Sequence, residues 1–131
     1  MKTITTWKKE HEFEADHEGN SIRIDGEKKN GHGPKALLLS ALAACSGIDI
    51  VDILNKMKIE FSGLVIETAA AQTTEHPKVF TEVTITYKMK TDAANEERIR
   101  KAIDLSLEKY CGVSAMLKKN SPVNYKLIIE S

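Results

Sequence analysis

The sequence predicts an α+β fold in the order βββ-α-ββ-α-α-β, built round one long buried helix. Three observations predict it. A run of thirteen residues, Ala36 to Ile48, is apolar except where Ser40, Ser46 and Gly47 interrupt it. Short segments alternating apolar and polar residues lie on both sides of that run, as half-buried strands do. A second stretch places Ile99, Ala102, Ile103, Ser106, Leu107 and Tyr110 at the i, i+3, i+4, i+7 spacing of an amphipathic helix. The order has no internal repeat and no linker, so residues 1–131 read as a single domain.

The first third is a polar β-meander. Ile4 and Trp7 lie in a Thr-rich run, Phe13 sits among charges, and Ile22 and Ile24 flank Arg23. Glu18-Gly19-Asn20 marks the turn between two of these strands, each with one wet face. Gly31-His32-Gly33-Pro34 then breaks the pattern, and Pro34 suits the first position of a helix because its missing N–H is not needed there. The helix predicted over Lys35 to Lys58 is apolar all round in its first half and must be covered on every side. So short a chain has little material to cover it, which predicts a homodimer.

Two strands follow, Phe61 to Thr73 and Thr81 to Lys90, joined by a turn at His76-Pro77-Lys78. The second alternates cleanly, with Val83, Ile85, Tyr87 and Met89 directed inward. Thr91 to Asn95 offers caps for the amphipathic helix. Cys111-Gly112, a short helix over Val113 to Lys119, and a last strand carrying Val123, Tyr125, Leu127 and Ile129 complete the chain.

Composition narrows the function. Nineteen Lys and Arg balance nineteen Asp and Glu, leaving no surplus cations for nucleic acid. The 41% hydrophobic and 29% charged fractions are those of a globular protein. The apolar run is shorter than the roughly 20 residues a membrane span needs, so no membrane partner is expected. No apolar stretch of a signal peptide follows Met1, which predicts a cytoplasmic protein, where structural disulfides do not usually persist.

The chain nevertheless contains two cysteines, Cys45 and Cys111, 66 residues apart. Neither belongs to a CxxC pair, and His11, His17, His32 and His76 have no ligand spacing, so neither metal nor cofactor is expected. Cys45 among alanines reads equally well as a small buried hydrophobe. Cys111 reads as a loop residue, or as the start of a helix whose free N–H groups would favour its thiolate. Asp49 shares a helix face with Cys45. Asp49 and Asp52 read as the start of the wet face, with Asp52 paired to Lys56; the alternative is that Asp49 accepts a proton or positions a polar ligand. Ser46, Ser106 and Ser114 have no GxSxG context, and no phosphate loop follows Gly31.

The segment Pro34-Lys35-Ala36-Leu37-Leu38-Leu39-Ser40-Ala41-Leu42-Ala43-Ala44-Cys45 resembles the central-helix motif of the OsmC/Ohr family. Ala102 to Ser114, with Glu108-Lys109-Tyr110-Cys111-Gly112, resembles that family's second-cysteine segment, and the pair looks closest to its YhfA-like branch. The resemblance covers nearly the full chain and implies an OsmC-like fold in an intertwined homodimer. It implies thiol-dependent reduction of organic or lipid hydroperoxides. In that reaction Cys45 would become a sulfenic acid, Cys111 would resolve it as a disulfide, and a dithiol partner would reduce that disulfide. The family's activating arginine and glutamate are not matched: the glutamate position holds Lys35, and the early hairpin offers Lys8 and Lys9. Lys35 and Asp49 are therefore the supporting residues to examine. The alternative is a dimeric protein that binds a small apolar or thiol-reactive ligand without turnover.

Overall fold

Three antiparallel strands, β1 (Ile4–Lys9), β2 (Glu12–His17) and β3 (Asn20–Asp25), open the chain and pair in that order. In the computed structural model, which describes residues 1–131, they belong to the first of two compact units, 1–38 and 39–131. Trp7, Phe13 and Ile24 stand opposite one another across the three strands. Trp7 and Phe13 of this row are exposed, and so are Ile4 and Ile22 elsewhere in the sheet. Buried Asp25 ends β3, and its carboxylate accepts from the backbone N–H groups of Glu27, Lys29 and Asn30 at 2.8, 3.2 and 3.1 Å. Those bonds, that of Glu27 foremost, hold it below the ordinary carboxylate range. The loop then passes so close to β3 that a side chain at Gly31 would sit 2.5 Å from the Arg23 carbonyl oxygen.

Helix α1 (Pro34–Lys56) begins in the first unit and continues into the second. It stops two residues short of the predicted end, and Lys58 beyond it takes a left-handed φ of 58°. The second unit contains β4 (Ser62–Gln72), β5 (Phe80–Lys90) and β6 (Val123–Glu130). β5 lies in the middle, antiparallel to β4 and parallel to β6. A parallel pair needs a crossover, here supplied by α2 (Glu96–Leu105) and α3 (Gly112–Lys118).

The predicted inward row of β5, Val83, Ile85, Tyr87 and Met89, is fully buried. It shares the core with Leu42, Ile50 and Leu54 of α1 and with Ile99, Ala102 and Ile103 of α2. Gly47 brings α1 close to β4, because a Cβ there would meet Ile66 Cδ1 at 3.0 Å. The helix is apolar enough to cross a membrane by length and composition, but its Leu42–Ile50–Leu54 stripe is committed to this core. Within the chain it is not covered on every side: Leu38 and Ile48 are 47% and 64% exposed.

One amphipathic position departs from the predicted stripe. Tyr110 is exposed, whereas Ser106 and Leu107 are buried. Residues Ser106–Tyr110 form a widened turn in which the Cys111 N–H reaches back five residues to the Ser106 carbonyl, at 2.7 Å. The extra residue in that turn rotates Tyr110 off the apolar face.

Candidate functional site

Cys111 lies in extended backbone between the widened turn and α3, where it caps the helix. Its Sγ accepts from the Ser114 N–H at 3.3 Å, and the residue is only 3% exposed. Cys45, half-buried on α1, lies close enough to Cys111 for the two thiols to interact, and both are free. Burial pushes the Cys111 thiol up to about 11. The Ser114 N–H opposes that shift, while the hydrogen bond and negative charge of Cys45, and then the charge of Asp49, reinforce it. The Ser114 N–H acts in the direction that a helix start predicts, and burial outweighs it. One N–H bond does not outweigh loss of water.

Asp49 is half-buried at the border of the wet face, where Asp52 is exposed, and its side chain also reaches into the core. Its Oδ2 accepts from the Ser106 hydroxyl at 2.9 Å. Ser106 Oγ is 2.9 Å from Ser46 Oγ, which is 2.6 Å from the Tyr87 hydroxyl. Ser46, Ser106 and Tyr87 are fully buried. Three hydroxyls from α1, the widened turn and β5 therefore link in a line that ends on one carboxylate. Burial drives the Tyr87 phenol up to about 12, and the nearby charges of Cys111, Tyr125 and Asp49 add to the rise. No buried side-chain nitrogen or oxygen is left without a hydrogen-bond partner.

Asp49 also lines a cavity of about 450 Å³ with Asp52, Lys56, Leu105 and Tyr110 among its walls. The expected Asp52–Lys56 ion pair is not formed within 4.0 Å; both side chains border this cavity instead. A second, apolar cavity of about 680 Å³ is bounded by Ala43, Ala44, Gly47, Ile48 and Val51 of α1 and by Leu64 and Ile66 of β4. Lys35 is exposed on the first turn of α1 and belongs to the first unit. Arg23, also in that unit, faces Glu12 and Glu14 at 3.6 Å. No three His, Cys, Asp or Glu side chains gather closely enough to hold a metal ion.

Sequence reasoning singled out Cys45, Cys111 and Asp49, and these come together. It passed over Tyr87, Ser46 and Ser106. The available signal was that Ser46 and Ser106 occupy positions on otherwise apolar helix faces, where a hydroxyl must find a buried partner.

Fold and site together define an α+β protein built round two adjacent free thiols on a buried hydroxyl network. Residues 26–126 match the family model of the OsmC-like proteins, so the chain belongs to the OsmC-like family. It is 30% identical over 102 residues to protein YhfA of Escherichia coli K12, spanning 77% of this chain and 76% of that one. Its fold is similar to that of an OsmC-like protein from Mycoplasma pneumoniae, with a TM-score of 0.87 at 19% identity over 99% of this chain and 96% of that one. It is also similar to the organic hydroperoxide resistance protein of Bacillus subtilis, with a TM-score of 0.65 at 18% identity over 96% of both chains.

Proposed function

We propose that the protein reduces organic hydroperoxides, with Cys45 as the attacking thiol and Cys111 as the resolving one. The observation that carries this reading is that two cysteines 66 residues apart in sequence lie close enough for their thiols to interact. Membership of the OsmC-like family and the hydroperoxide resistance named for the Bacillus subtilis protein support it. The Cys45 thiolate attacks the terminal oxygen of ROOH, the O–O bond breaks, and the alkoxide leaves as ROH after taking a proton. Cys45 becomes a sulfenic acid. The Cys111 sulfur then displaces its hydroxyl: an S–S bond forms, and the hydroxyl leaves as water with the Cys111 proton. A dithiol reductant restores both thiols and is itself oxidised to a disulfide. The protein works in this reading as a homodimer, because α1 leaves Leu38 and Ile48 to be covered by a second copy.

Coupled turnover of cumene hydroperoxide by wild type, Cys45→Ser and Cys111→Ser tests the proposal. Wild-type turnover should vanish in Cys45→Ser, while Cys111→Ser treated with one equivalent of peroxide should accumulate the Cys45 sulfenic acid in place of the disulfide. Equal consumption by wild type and Cys45→Ser would end it. A second reading, a binding protein for a small apolar ligand, is favoured by the cavity of about 680 Å³ along α1 and by a Cys111 thiol that holds its proton to about 11. Native mass spectrometry of freshly purified protein should then show a bound molecule and no peroxide turnover.

A further inference from the structure

We infer that Lys118 is a positioning residue: by taking the Leu107 carbonyl it holds the turn before Cys111 in its widened register, and so fixes where the Cys111 thiol sits. The functional meaning of this inference rests on the reading of Cys45 and Cys111 as a redox pair.

A helical turn widened by one residue leaves one carbonyl over. In an ordinary helix the Cys111 N–H would pair with the carbonyl four residues back, that of Leu107. Here it reaches the Ser106 carbonyl instead, at 2.7 Å. The carbonyl of buried Leu107 has lost its backbone donor and needs another. It finds two on α3. Lys118 Nζ donates to it at 2.6 Å and the Ser114 hydroxyl at 3.5 Å.

A carbonyl oxygen has two lone pairs, and these two donors fill both. The Cys111 N–H has no place there while they stay. The ammonium is the stronger of the two, being charged and close, whereas 3.5 Å is the outer limit of a hydrogen bond. Leu107 also lies near the end of a helical stretch, where carbonyls carry negative partial charge and favour a cation.

The same face of α3 carries the thiol. Cys111, Ser114 and Lys118 follow one another at i, i+3 and i+7. The Ser114 N–H reaches Cys111 Sγ at 3.3 Å, and Cys111 belongs to the buried core against which Cys45 packs. Ser106 is fixed from the opposite side, its hydroxyl donating to Asp49 of α1 at 2.9 Å. The turn is therefore clamped between two helices: α1 anchors the acceptor that the Cys111 N–H uses, and α3 fills the one it forgoes. A return to the ordinary register would turn Cys111 by about 100°, one helical step, out of that place.

The experiment compares wild type with Lys118→Met, which keeps the apolar stem without the ammonium, and Lys118→Arg, which keeps a charged donor. The first readout is the Cys111 amide proton in the NMR spectrum of the reduced protein, since a short N–H···O bond moves that proton downfield. Lys118→Met should move it upfield, and Lys118→Arg should hold it near its wild-type position. The second readout is the equilibrium between the two thiols and their disulfide in glutathione buffers. Lys118→Met should disfavour the disulfide about fivefold, the weight of one hydrogen bond, and Lys118→Arg should restore it. A lysine that served stability alone would lower the urea midpoint and leave both readouts unmoved, which would overturn the inference. An amide that moves while the disulfide equilibrium stays put would overturn it too, since the register would then not place the thiol. No peroxide is involved. A wild-type chain that forms no disulfide, yet whose Cys111 amide responds to Lys118→Met, loses the redox pair and keeps the clamp.

Discussion

A thiol held protonated to about 11 in the fold, against an ordinary value of 9.0, ties stability to pH at a single residue. Between those values the native chain keeps a proton that the unfolded chain has lost. Stability from Cys111 is therefore complete below about pH 9 and lost as pH rises through the folded value, with a slope approaching 1.4 kcal/mol per pH unit. Urea denaturation should show wild type weakening from about pH 9 upward. Cys111→Ala should begin to weaken about one unit later, where Tyr87 takes over, since burial raises that phenol from 10.0 to about 12. The hydroxyl line supplies a second prediction. Ser46→Ala strands the buried Tyr87 proton without an acceptor and should cost about 1–3 kcal/mol. Tyr87→Phe only removes an incoming donor from Ser46 and should cost about 1 kcal/mol or less. The two urea midpoints in that order support a line in which Ser106 donates to Asp49, Ser46 to Ser106 and Tyr87 to Ser46; the reverse order contradicts it.

Among the elements, the fit of α1 on β4 turns on the missing side chain of Gly47. A methyl group there would reach Ile66 Cδ1 at 3.0 Å, a contact that something must relieve. Gly47→Ala gains about 1 kcal/mol of helix propensity and loses about 1–3 kcal/mol to overpacking, so a net loss is expected. Ile66→Val removes the offending carbon. The double variant should be at least 1 kcal/mol more stable than the two single losses sum to, as measured by a thermal or urea cycle. The elements were largely legible in the sequence. Period-2 alternation over Val83–Met89 and the stripe of Ile99, Ala102 and Ile103 depend only on which residues avoid water. Tyr110 was not legible, because the widened turn before Cys111 is set by a backbone bond to Ser106 rather than by hydrophobic spacing.

For the whole molecule, the sequence demanded that the apolar first half of α1 be covered, and the single chain leaves Ile48 64% exposed beside an apolar cavity of about 680 Å³. On the proposed dimeric reading that face meets a second copy. Light scattering should give twice the 14.6 kDa chain mass, and Ile48→Lys should shift the protein toward monomer by weakening self-association at least tenfold. A wild-type monomer at all concentrations would remove the dimer from the account.

The sequence by itself determined the α+β order, the inward rows of strand and helix, and the two cysteine segments. Each of these follows from local periodicity or from a contiguous motif. Only the tertiary structure decided that Asp49 reaches the buried Ser106, that Ser46 and Tyr87 join them in one line, and that Cys111 keeps its proton despite capping a helix. Those outcomes depend on which of three separate elements lie together and on how completely water is excluded there. Both are properties of distance in space, which spacing along the chain does not encode.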